Sequence, residues 1–167
     1  MNRFLAAVNQ KRLFARLLLD RAQESGGQRH LEQALLQGAV THLRLAVQFY
    51  LCEVAAAYQC RDAVMATSPG ALATLLAEMD KTPGEVSEIL TLSGEGHSWL
   101  NHLFSCHQTI SLAPDVMLVR HDDANHISAV TAPEGEDWSL IGCEQVEGWL
   151  TAFDEMVDRH RGVMVEC

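Results

Sequence analysis

Apolar residues recur at helical spacing along most of the chain, and that spacing predicts its elements. In residues 3–23, Phe4, Ala7, Val8, Phe14, Ala15, Leu18, Leu19 and Ala22 share one broad face, and the pattern stops at Ser25-Gly26-Gly27. Lys11 falls in the middle of that face. Residues 28–60 predict the longest helix. Leu31, Leu35, Gly38, His42, Leu45, Phe49, Cys52, Ala56 and Cys60 form one stripe of it, and Leu36, Leu43, Val47, Tyr50 and Val54 a second. Only a narrow strip stays polar, with Gln37, Thr41, Arg44, Gln48 and Gln59. A helix apolar over most of its circumference belongs in the interior, so this segment is expected to be central.

The middle of the chain predicts shorter helices. Ser68-Pro69 matches an N-cap followed by proline in the first helical position, opening a helix to about residue 79. Thr82-Pro83-Gly84-Glu85 has capping-box spacing and opens another to about residue 92. After Gly94 and Gly96 a further helix is expected over residues 97–110, with Pro114 beyond its end. Residues 115–141 break the helical pattern. VMLVR and HISAV are β-prone around the turn-like HDDAN, which predicts a small hairpin, and TAPEGED is loop-like. The last helix is expected over residues 144–161, on the stripe Val146, Trp149, Leu150, Phe153, Met156 and Val157. The fold class expected is therefore all-α: one domain over residues 1–167, a bundle of four main helices with one or two short ones.

A length of 167 residues suits one domain with a real core. No apolar run approaches the roughly 20 residues that span a bilayer, and a cytoplasmic protein without a membrane partner is expected. The five cysteines include no CxxC pair, and they are expected to be free thiols packing as small apolar groups. The net charge of −10 is unevenly placed. Residues 1–61 hold eight Lys or Arg against four Asp or Glu, and residues 62–167 hold four against eighteen. Two halves that pack together and offset their charges are the leading expectation, with a basic surface for an acidic partner as the alternative. The acidic excess argues against nucleic acid as a partner.

The stretch GHSWLNHLFSCH sets three histidines and a cysteine within twelve residues. His97, His102 and His107 are five apart, so each is turned by about 140° from the one before. They cannot converge on one metal. Neither ExxH nor HxxxH occurs in the chain, so no metal and no cofactor is expected. His107 falls among apolar residues of its helix and is expected to be a hydrogen-bonded core histidine.

Lys11, His42, Glu53 and His107 are thus four polar groups on apolar faces. Buried charges require partners. Packing of the first helix on the second is expected to pair Lys11 with Glu53. His42 and Glu53 share a face but lie about 16 Å apart along it at 1.5 Å per residue. The four residues define an expected polar seam inside the bundle. It serves either as a device fixing helix register or as a pocket for a small polar ligand, with Lys11, His42, Glu53 and His107 as the candidate binding residues. No catalytic residue is assigned.

NQKRLFA (residues 9–15), HLRLAVQFYLCEVAAAY (42–58) and SWL (98–100) resemble three motifs of a family of small gammaproteobacterial helical proteins classed as a domain of unknown function. The resemblance implies that Asn9, Gln10, Lys11, His42, Cys52, Glu53, Ser98 and Trp99 belong to the family pattern, and it implies no activity. A non-catalytic interaction or regulatory protein, forming a homodimer or meeting a protein partner, is the leading expectation. Small-ligand binding in the seam is the alternative. RHDDANH, from Arg120 to His126, resembles in its letters the motif of HEPN ribonucleases, but it falls in a turn-like stretch where that family has helix.

Overall fold

The computed structural model describes residues 3–112 and 141–164, and these are helical, with no strand among them. The elements are α1 (Arg3–Gln23), α2 (Arg29–Ala57), a 3-10 turn at Ala63–Met65, α3 (Pro69–Ala77), α4 (Gly84–Gly94), α5 (Trp99–Ser111) and α6 (Cys143–Met164). The expected hairpin, Arg120, His126 and Cys167 lie outside the described residues.

The long central helix forms as one continuous rod, and α2 packs against α1, α3, α5 and α6. Its fully buried face is the second stripe, Leu36, Leu43, Val47, Tyr50 and Val54, widened by Ala39, Val40, Ala46, Leu51 and Ala55. Each large side chain there contributes on the order of 1.5–3 kcal/mol through loss of water contact. The first stripe is the shallower one: Leu35, His42, Leu45 and Phe49 are half-buried and Leu31 is exposed. The α1–α2 pair approaches closely at Gly38, where a Cβ would lie 3.1 Å from Leu18 Cδ1. Against that interface α1 buries Val8, Ala15, Leu19 and Ala22.

Two helix starts obey local chemistry, and one departs from it. Ser68 Oγ accepts from the Ala71 amide at 3.1 Å with Pro69 following, as its sequence predicts. Ser98 does the same for Asn101 and also donates its hydroxyl to the Leu92 carbonyl, which ties α5 to the end of α4. The expected Thr82–Glu85 capping box does not form. Pro83 occupies the cap position of α4 without a side-chain cap, and the Glu85 carboxylate accepts from the Tyr58 hydroxyl at 3.1 Å. The buried Glu85 carboxylate needs a donor, and it takes one from Tyr58 rather than from its own helix end.

The α2 helix ends at Ala57, three residues short of its expected end. Gln59 turns to φ 62°, and the Cys60 amide closes back onto the Ala55 carbonyl at 3.0 Å. After α3 the same closure recurs: Asp80 has φ 56°, and the Lys81 amide reaches the Leu76 carbonyl at 2.9 Å. Glycine is the usual residue at such a left-handed position. The last helix, α6, starts one residue earlier and runs three residues further than expected, and it buries His160 and partly buries Arg161.

Candidate functional site

Glu53 sits at the heart of a buried polar network, only 3% exposed. Its partner is Arg161 of α6 and not Lys11. The guanidinium grips both carboxylate oxygens, Nε to Oε1 and Nη2 to Oε2, each at 2.8 Å. Its third nitrogen donates to Asn9 Oδ1 of α1 at 3.0 Å, so one cation joins three helices. This fork-on-fork geometry is stronger and more directional than a lysine contact. Burial works against the Arg161 charge, but the Glu53 carboxylate more than offsets it and holds the arginine above its ordinary range.

A second chain of contacts runs beside the first. The Tyr50 hydroxyl lies 2.7 Å from His160 Nδ1, and His160 Nε2 lies 2.8 Å from Glu88 Oε2. Arg159 also donates to Glu88. Burial alone would push the Glu88 carboxyl up, yet the bonds from His160 and Arg159 bring it below its ordinary value. An ionised Glu88 only accepts, so His160 Nε2 donates to it, and Nδ1 is left to accept from the Tyr50 hydroxyl. Burial, then the neighbouring Glu53 charge, drives the Tyr50 phenol far above its usual range, and it stays protonated.

The expected seam is therefore divided. Lys11 places its ammonium 5.5 Å from the centre of the Phe14 ring, and Phe14 in turn meets His42 edge-on at 5.3 Å. This cluster lies three turns of α2 away from Glu53, a distance no lysine spans. His107, on α5, is half-buried near Arg44, whose guanidinium stacks 4.6 Å from the Phe104 ring centre. His42 Nδ1 and Arg44 Nη1 are buried without a hydrogen-bond partner among the described residues. Of the four residues, only Lys11 and His42 come together. Tyr50, Glu88, His160 and Arg161 are the members that sequence reasoning missed. His160 and Arg161 continue the α6 stripe three and four residues beyond Val157, and that signal was available.

Desolvation, then Lys11, lowers the affinity of His42 for a proton; desolvation, then Arg44, does the same for His107. Both groups have folded values below the ordinary 6.5, so the unfolded chain takes up their protons first as pH falls. Their contribution to stability is complete above that value and is lost below it. The melting temperature is expected to fall between about pH 7 and pH 5. The double variant His42→Gln/His107→Gln should flatten that part of the profile in a calorimetric series. An unchanged slope would refute the assignment.

Next to the network a cleft of about 480 Å³ opens between the end of α2, the start of α4 and the end of α6. Ala57, Tyr58, Gln59, Lys81, Thr82, Pro83 and Met164 line it. Lys81 Nζ donates to the Tyr58 carbonyl at 3.0 Å and lies 5.7 Å from the Tyr58 ring centre. The left-handed residue Gln59 forms part of its wall, and Asp80, the other non-glycine residue with positive φ among those described, immediately precedes Lys81. Each costs about 1–2 kcal/mol of backbone strain, and such strain clusters at functional sites. A smaller cleft of about 330 Å³ shares Gln59 and reaches Cys60 and Arg61.

The remaining chemistry is quiet. Burial pushes the Cys106 thiol up to about 11, and burial also raises Cys52, so neither is a thiolate near neutral pH. Among the described residues no three His, Cys, Asp or Glu side chains are grouped as metal ligands, and no helix is long and apolar enough to cross a membrane.

Several residues of the expected family pattern gain a role here. Asn9 and Glu53 both hold Arg161, Cys52 points its thiol toward the Ala66 carbonyl at 3.7 Å, Ser98 caps α5, and Trp99 packs on Phe153. Searches of curated proteins and of solved structures returned no match. The family model described as "Family of unknown function (DUF6586)" matches residues 1–167. With that match spanning its whole length, the chain belongs to the DUF6586 family, a family of unknown function.

Proposed function

We propose that the chain is a non-catalytic, cytoplasmic bacterial protein, a single-domain bundle of four principal helices, that binds a small ligand in the cleft at the ends of α2 and α6. The observation that supports this most is the cleft itself, lined by the left-handed residue Gln59 and by Lys81, which follows the left-handed Asp80. Its size falls in the range of small-molecule sites. The titratable groups of the Glu53–Arg161 and His160–Glu88 network are bound to one another. The Lys11–His42 cluster is the competing location for a ligand, since His42 Nδ1 has no hydrogen-bond partner there among the described residues.

Screening a small-molecule library by thermal shift tests the reading. A ligand of the cleft should raise the melting temperature of the natural chain, and Ala57→Trp, which fills the cleft from an exposed position, should abolish the shift. Shifts that survive Ala57→Trp but vanish in His42→Gln would move the site to the Lys11–His42 cluster.

A second reading, self-association, rests on α1. Leu13 and Leu17 are 54% and 55% exposed and stand one turn apart. The flanking cations are neutralised, Arg12 by Asp154 at 2.7 Å and Arg16 by Glu147 at 2.5 Å. A two-fold pairing of α1 with a second copy would set leucine on leucine and bury both. Light scattering on the same preparations separates a mass of two chains from a mass of one.

A further inference from the structure

We infer that the cleft beside Tyr58 and Lys81 takes a small monocarboxylate with an apolar body. This rests on the ligand-binding reading above and adds the class of ligand. Among the described lining residues Lys81 is the single ionic side chain, in a protein of net charge −10. Its ammonium has three donor directions, and the Tyr58 carbonyl occupies one of them. Two remain for a ligand. The Glu85 carboxylate is buried, takes the Tyr58 hydroxyl and is not among the described residues that line the cleft.

Two more features favour an anion over a cation. The first turn of α4 begins at Gly84, next to the lining residue Pro83, and has no side-chain cap; Glu85 in that turn offsets part of its positive end and leaves the rest to the cleft. Thr82 adds a hydroxyl on the same rim. The rest of the lining, Ala57, Pro83, Met164 and the Tyr58 ring, offers apolar surface for the body of the ligand. One ammonium matches one negative charge. A phosphate monoester carries nearly two and would leave the second close to buried Glu85, so the carboxylate is the better fit.

Titration calorimetry with phenylacetate, phenylacetamide and phenethylamine tests the charge separately from the shape. Phenylacetate is expected to bind about tenfold more tightly than the amide, the difference between a charge-assisted and a neutral hydrogen bond, and the amine is expected not to bind. Lys81→Met should bring the acid down to the level of the amide, while Lys81→Arg, which keeps the charge, should retain most of the preference. Equal binding of acid and amide, or an acid preference that survives Lys81→Met, overturns the inference. So does the failure of both acid and amide to bind. In that last case a library compound whose thermal shift is lost in Ala57→Trp leaves the cleft standing as a site and removes only the carboxylate.

Discussion

Phe153→Ala is expected to lower the unfolding free energy by about 4 kcal/mol, within the range for emptying a buried aromatic position. Phe153 has no solvent exposure and joins three helices. From α6 its ring meets Tyr50 of α2 edge-on, centroids 5.9 Å apart, and Trp99 of α5 at 6.3 Å. Edge-to-face pairs of this kind add to the transfer term. The neighbours cannot close the space, because Tyr50 is tethered to His160 by its hydroxyl. A loss of that size is a large share of the 5–15 kcal/mol that holds a typical domain together. Urea denaturation with unchanged slope and a lowered midpoint is the expected record. A loss below about 1 kcal/mol would show that α6 does not pack on α2 and α5 through this ring.

Arg161→Met is expected to cost about 3 kcal/mol, the lower end of the range for removing one partner of a buried pair. The lower end applies because the arginine side chain keeps 21% exposure while Glu53 keeps 4%. The loss comes mainly from Glu53, left without its fork in a site with little water, and partly from Asn9. Replacing both members, Arg161→Met with Glu53→Leu, should recover most of the stability, since an apolar pair of similar volume needs no solvation. Denaturation of the two single variants and the double variant closes the cycle. A double variant no better than Arg161→Met alone would mean that the pair is not the source of the cost.

Sequence reasoning reached Glu53 and missed its partner for a definite physical reason. A helical wheel reports the angle at which a residue leaves its helix, and the apolar company of Glu53 on α2 marks that angle as inward. It does not report which helix lies opposite. Both α1 and α6 pack on α2, and α6 brings the better cation. The Thr82–Glu85 spacing failed in the same way, because the capping pattern is a local preference and Tyr58 offers Glu85 a non-local donor. Local rules held where the competing groups were also local: Ser68 before Pro69 caps α3, and Ser25-Gly26-Gly27 ends α1.

The periodicity of the chain by itself determined that its fold is helical, that one long central rod, expected over residues 28–60 and observed over 29–57, runs unbroken through the interior, and that Val146, Trp149, Leu150, Phe153, Met156 and Val157 face inward from the last helix. Those properties follow from backbone geometry and burial, which repeat every 3.6 residues and can be read in one dimension. Tertiary structure alone decided that Arg161 holds Glu53, that Lys11 rests on Phe14, and that the turns at Gln59 and Asp80 meet at one cleft. Ion pairs and cavities arise between segments distant in sequence, where distance and solvent access, rather than spacing, select the partner.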